Sequence, residues 1–205
     1  MRNPSSKRQA AAQETRKGIL EAAKAVYGGA QGAEAPVSHV AKLAGVAVGT
    51  VFVHFPDKPS LLAAALEEEI GAALAEAWET LPASIPCREQ LLHLAGAMYR
   101  FYAGRPALYR VLLKETLFLR GEWGRRAVED VLRFVEGVTA LLEASRDRGE
   151  YRADADCRAA GRAFFGLYFL ELLAAFGEES FDAEQALGRL RPAVLLMEQG
   201  LVQRG

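Results

Sequence analysis

Few side chains in this chain of 205 residues are placed to do bond chemistry. Its three histidines, His39, His54 and His93, are scattered, whereas a zinc site gathers several ligands, usually at short spacings. Glu89 and His93 stand alone as a pair, and a di-iron bundle needs repeated Glu-x-x-His pairs. Cys87 and Cys157 form no Cys-x-x-Cys motif and read as reduced thiols, not a disulfide. No nucleophile motif or phosphate loop is present in the sequence. Catalytic residues, metal ligands and cofactors are therefore not expected, and neither is an enzyme. The chain carries instead the run Val37-Ser38-His39-Val40-Ala41-Lys42-Leu43-Ala44-Gly45-Val46-Ala47-Val48-Gly49-Thr50-Val51-Phe52-Val53-His54-Phe55. It reads as a helix, a tight turn at Gly45, and a second helix too short and apolar to lie on a surface. Such a unit serves mainly to set one helix end in the major groove of DNA.

The elements that would position this unit are all helical. A helix is expected after Thr15, with Ile19, Leu20, Ala22, Ala23, Val26 and Tyr27 at helical spacing. Pro36 suits the first position of the next helix, and Gly45 supplies the positive φ of the turn. The second helix of the motif spans about 48–54 and stops at Phe55-Pro56. Asp57 is a candidate N-cap for a long helix to about residue 81, striped by Leu61, Leu62, Ala65, Leu66, Ile70 and Leu74. Further helices are expected at about 87–103, 106–119, 123–148, 155–176 and 183–203, punctuated by Pro82, Pro86, Gly104, Gly121, Gly149 and Gly177.

Half the residues are hydrophobic (51%) and a quarter charged (25%), the balance of a globular protein. The net charge of −1 hides an asymmetry. Through Ser60 eight cations face four anions, a net +4, which leaves −5 for the rest. A basic front on an acidic body fits nucleic acid contacting the front alone. Residues 1–13 lack a signal-peptide pattern. The apolar run 163–176 reads as too short to cross a bilayer and contains Glu171, so a cytoplasmic protein without membrane contact is expected.

The same residues carry a resemblance. Thr15-Arg16, Ile19-Leu20, Ala22-Ala23, Val40-Ala41, Ala44-Gly45-Val46, Gly49-Thr50-Val51-Phe52, His54-Phe55-Pro56, Lys58 and Leu61-Leu62 follow an ungapped pattern. In this the chain resembles the N-terminal domain of the TetR family of bacterial transcriptional regulators. The resemblance implies an all-α fold: a three-helix helix-turn-helix DNA-binding domain, then a helical ligand-binding and dimerisation domain. The expected division is a disordered arm at 1–14, a helix-turn-helix DNA-binding domain at 15–60 and a helical effector-binding and dimerisation domain at 61–205.

The resemblance also implies roles. Gly49 would allow close backbone approach, and Thr50 and Lys58 would meet phosphate. His54 would donate to phosphate or cap the helix from a buried position. Phe52 stands where the family usually has tyrosine, which removes a hydroxyl. Ala47 replaces a frequent serine N-cap, and Val48 can touch a thymine methyl but cannot hydrogen-bond a base. Ser38 and His39 would touch the DNA or lie exposed on the first motif helix.

Beyond residue 62 the resemblance implies a homodimer through the last two helices, about 155–176 and 183–203. Gly161, Gly166, Ala160, Ala163 and Ala174 would permit close approach. Phe164, Leu167, Leu170, Leu187, Leu190, Val194 and Leu195 would supply apolar area, or line an internal core instead. An effector pocket would draw on His93, Tyr99, Tyr102, Phe118, Trp123, Phe165, Tyr168, Phe169 and Glu171, although aromatic stripes also build plain cores. Glu171 would pair with an arginine across the dimer, lie at the bundle edge, or face a polar effector group. The expectation is a homodimeric regulator, a repressor released from its operator by a small apolar or aromatic effector. The alternative is a relative that has lost specific DNA binding and acts through a protein partner.

Overall fold

The structure is a computed structural model that describes residues 4–29 and 32–202. Among these residues the regular structure is all helical. It comprises α1 (Pro4–Tyr27), a single 3₁₀ turn (Gly32–Glu34), α2 (Val37–Leu43), α3 (Val48–His54), α4 (Lys58–Glu79), α5 (Cys87–Ala103), α6 (Pro106–Thr116), α7 (Gly121–Asp147), α8 (Cys157–Gly177) and α9 (Ala183–Gln199). The chain divides into two compact units. The first is Met1–Ile70 with Ala107–Arg125, and the second is Gly71–Pro106 with Arg126–Gly205. The expected boundary at 60/61 thus falls inside α4, because Leu61, Leu62, Ala65 and Leu66 are core residues of the first unit.

The first unit is built on apolar residues that share a face at helical spacing. Ile19, Ala22, Ala23 and Tyr27 of α1 are buried with Val37, Val40 and Ala41 of α2, and with Val51 and Phe55 at α3. Helix α1 starts well before Thr15. The residues from 4 to 14, expected as a disordered arm, are helical, and residues 1–3 lie outside the described part. The alanines 10–12 favour this extension. Thr15 does not cap a helix start; its hydroxyl donates back to the Ala11 carbonyl at 2.9 Å, as a mid-helix threonine does.

The turn of the motif follows from Gly45. At φ +67° it closes a Schellman cap on α2: its N–H donates to the Lys42 carbonyl at 3.3 Å, and that of Val46 to the Ala41 carbonyl at 3.0 Å. Pro36 is the N-cap of α2 rather than its first helical residue. Asp57 caps α4 as expected, its Oδ1 accepting the Ser60 N–H at 2.7 Å.

In the second unit α9 packs against both α5 and α8. The clasp between α5 and α9 is ionic at its edge, with Arg88 on Glu198 at 2.6 Å and Arg191 on Glu89 at 3.1 Å. Pro192 stands inside α9, exposed, and removes one amide from its ladder. Helix α8 has 21 residues, and its most apolar stretch reaches a mean hydropathy of 1.4, so by length and composition it is apolar enough to cross a membrane. The apolar run 163–176 is the larger part of this helix, which begins earlier, at Cys157. Cys157, Ala160, Phe164, Tyr168 and Leu172 on one of its sides are core residues.

The dimerisation residues split between inside and outside. Phe164, Leu190 and Val194 are wholly buried within the chain, so they are internal core. Gly161 serves an internal crossing: a Cβ there would meet the Thr139 hydroxyl of α7 at 2.5 Å. Ala163, Gly166, Leu170 and Ala174 of α8, and Leu195 of α9, lie outward. Leu173 and Leu196 join them.

Candidate nucleic-acid interface

Helix α3 has a single buried residue, Val51. At 100° per residue, Gly49 and Val53 fall on the opposite side of the helix. Val53 is accordingly 82% exposed, beside Phe52 at 44% and Val48 at 40%. Three i,i+4 ridges result: Gly49–Val53 at the crest, Val48–Phe52 on one flank, and Thr50–His54 on the other, half-buried. Lys58 begins α4 and is half-buried, and Ser38, His39 and Lys42 are exposed on α2. The structure thus places the predicted residues on two consecutive short helices, with Lys58 at the start of the long helix that follows.

Gly49 has no internal reason to be glycine. Its φ is not positive, and a Cβ built there meets nothing within 4 Å. Glycine at an exposed helix position costs about 1 kcal/mol relative to alanine. The space a methyl group would fill is therefore kept open on the outer face of the protein. Val53 at the crest is not among the residues expected from the sequence. The signal was available: Val53 lies two residues beyond Val51, on the side away from the core.

The electrostatics sharpen the sequence asymmetry. The first unit includes Arg110, Lys114, Arg120 and Arg125 but also Glu67, Glu68 and Glu69. Summed over the sequence it carries +3, against −4 for the second unit. Not all of this charge faces outward. Lys24 is held by Glu68 at 2.6 Å and Glu21 at 3.4 Å, and its ammonium is shifted up chiefly by the Glu68 hydrogen bond. Arg16 lies over the rings of Phe55 and Trp123, its guanidinium carbon 5.1 Å and 5.6 Å from their centroids.

The nine residues predicted for an effector pocket do not form one group. Tyr99, Tyr102, Phe165, Tyr168 and Phe169 share an aromatic cluster of the second unit. Tyr99 stacks on Tyr168 at 5.1 Å and donates its hydroxyl to the Tyr168 carbonyl at 2.8 Å. Phe134 of α7 joins Phe165 at 6.2 Å and Tyr168 at 6.1 Å, and Phe165 stacks on Phe169. Burial pushes the Tyr102 hydroxyl up to about 12 and raises those of Tyr99 and Tyr168 well above the usual phenol value. His93 lies elsewhere, 3.2 Å from the Thr80 hydroxyl. Trp123 and Phe118 belong to the first unit, the former buried and the latter exposed. Glu171 pairs with Arg189 of the same chain at 2.7 Å.

Two consecutive short helices joined by the Gly45 turn make a helix-turn-helix, followed in the chain by a helical second unit. Residues 19–65 match the domain described as "Bacterial regulatory proteins, tetR family", which spans α2, α3 and the start of α4. A fatty acid metabolism regulator protein of Bacillus subtilis is 25% identical over 133 residues, 65% of this chain and 69% of that protein. The fold is shared with Thermus thermophilus FadR, a TetR-family transcriptional repressor solved with lauroyl-CoA. That likeness has a TM-score of 0.71 and 24% identity, and covers 93% of this chain and 96% of that one. It is shared also with Bacillus subtilis FadR solved with stearoyl-CoA, with a TM-score of 0.67 and 21% identity over 90% of this chain and 98% of that one.

Proposed function

We propose that this chain is a homodimeric repressor that grips its operator through α2, α3 and the start of α4, acts in the cytoplasm, and is released by a long-chain acyl-CoA. The observation that carries the DNA assignment is the open crest of α3, where Gly49 is unexplained by the protein's own packing. Thr50, His54 and Lys58 hold phosphates on one flank, with Ser38 and His39 on α2 adding backbone contacts. Val48, Phe52 and Val53 face base edges with apolar groups only, so thymine methyls and groove shape carry the discrimination.

The acyl-CoA assignment is supported by the likeness to two regulators solved with acyl-CoA. It is supported also by the aromatic cluster of the second unit, an apolar surrounding with neutral tyrosine hydroxyls as handles. The outward apolar residues of α8 and α9 supply the dimer seam. The test is a mobility shift on the duplex upstream of the protein's own gene, with lauroyl-CoA, stearoyl-CoA and free CoA added in turn. Acyl-CoA is expected to release the duplex and free CoA to leave it bound. Equal effects of all three would refute the effector assignment.

A further inference from the structure

The crest of α3 and one of its flanks hold no side-chain donor or acceptor: Gly49, Val53, Val48 and Phe52 are all apolar. At Gly49 the surface lacks a methyl group, and a Cβ built there meets nothing within 4 Å. Its neighbours on the helix surface are Phe52 and Val53, three and four residues on. Side chains on a helix lean toward its N-terminus, so both lean over the turn that contains Gly49. The gap is therefore a notch on the exposed face of α3. Its floor is the bare Gly49 backbone and its walls are a half-exposed ring and a valine.

The reading head formed by α2 and α3 lies in the unit of net charge +3, with Lys42 exposed on α2 and Lys58 at the start of α4. That charge suits a polyanion better than an apolar protein face. In the major groove of a duplex the bases present polar edges and one apolar group, the C5-methyl of thymine. An apolar notch gains nothing from a polar group it cannot bond, and desolvating that group costs free energy. Only the methyl fits. Cytosine methylated at C5 carries the same methyl on the same ring carbon. It differs beside it, with an amino donor in place of the thymine O4 acceptor, and no side chain of the notch can bond either group.

We infer that the notch at Gly49, walled by Phe52 and Val53, seats a pyrimidine C5-methyl group, so that the head accepts 5-methylcytosine where it accepts thymine and disfavours unmethylated cytosine. This rests on the DNA binding proposed above and is independent of the effector.

The test titrates the full-length chain with the duplex upstream of its own gene, its thymines replaced by uracil one position at a time. Uracil deletes the methyl and keeps every hydrogen-bonding group of the base. At the seated position it is expected to weaken binding about fourfold, the worth of one buried methyl group. The same pair is then changed to cytosine–guanine and to 5-methylcytosine–guanine. Thymine and 5-methylcytosine are expected to bind alike, and both more tightly than uracil and cytosine. Reading by hydrogen bonds gives the other grouping, thymine with uracil and 5-methylcytosine with cytosine. That grouping, or the absence of any position where uracil weakens binding, would overturn the inference and leave DNA binding standing.

G49A separates a methyl contact from a change in duplex shape. Alanine favours the helix, and its own methyl fills the notch. G49A is therefore expected to bind the thymine and uracil duplexes equally, so that the two changes are not additive. A uracil effect as large in G49A as in the wild-type chain would assign it to duplex shape and overturn the inference. If the wild-type chain binds no upstream duplex even at low salt, the DNA assignment itself fails and the inference with it.

Discussion

Gly49 carries two opposed predictions. Replacing it by alanine adds a methyl into open space and improves helix propensity by about 1 kcal/mol. Thermal melts of G49A are expected to rise, while its affinity for the upstream duplex falls. A glycine retained for folding would show the opposite pair. Tyr27 is a second such residue. It is buried, and its hydroxyl finds no partner among the described residues. An unsatisfied buried hydroxyl costs about 1–3 kcal/mol, so Y27F is expected to be neutral or stabilising. Burial raises this phenol from 10 to about 12. A raised acid keeps its full stabilisation below the unfolded value and loses it as pH climbs towards the folded one. The chain is therefore expected to lose stability between about pH 10 and about pH 12, and Y27F to lose less of it. Melts of both proteins across that range check the sign; an equal loss in both would contradict it.

Among the elements, α3 is the least supported by its own sequence. Its N-cap, Ala47, makes no side-chain cap bond, and a serine there is worth about 0.5–2 kcal/mol. A47S is expected to raise the melting temperature without changing which duplex is preferred, since the added hydroxyl is directed to the backbone of the helix. A change of preference in a duplex selection would show that position 47 reads bases. The pattern of the helices was legible because the apolar spacing of α4 and α5 and the stops at Gly45, Gly104 and Gly177 are local signals. Other features were not legible. The start of α1 was misplaced because Thr15 bonds backward to Ala11, a choice between capping and mid-helix bonding that spacing does not settle. The return of 107–125 to the first unit is a long-range packing event with no local signature. For that reason Trp123 was grouped with body aromatics although it lies beside Phe55.

At the scale of the whole molecule, the question is what covers the outward residues of α8 and α9. Leu170 is 59% exposed and Leu196 70%, flanked by Ala163, Gly166 and Ala174. In the proposed dimer, a seam of this kind would set the spacing of the two reading heads. L170D is expected to shift the chain from dimer to monomer in sedimentation and to lower duplex affinity well over tenfold, as half-sites lose their link. A dimer that survives L170D would place the seam elsewhere. The placement of the candidate interface residues on the motif helices was largely readable, because they sit at fixed offsets around Gly45. The effector residues were not, because aromatic spacing is the same in a pocket and in a solid core.

The central claim is that the head on α2 and α3 binds duplex DNA by its backbone first and its bases second. The most direct measurement is the affinity of the full-length chain for its own upstream duplex across a salt series. Log affinity is expected to fall linearly with log salt, with a slope near −0.9 for each phosphate neutralised. K58A is expected to flatten that slope by roughly one such contact. Absence of binding at low salt, or an affinity indifferent to salt, would contradict the account.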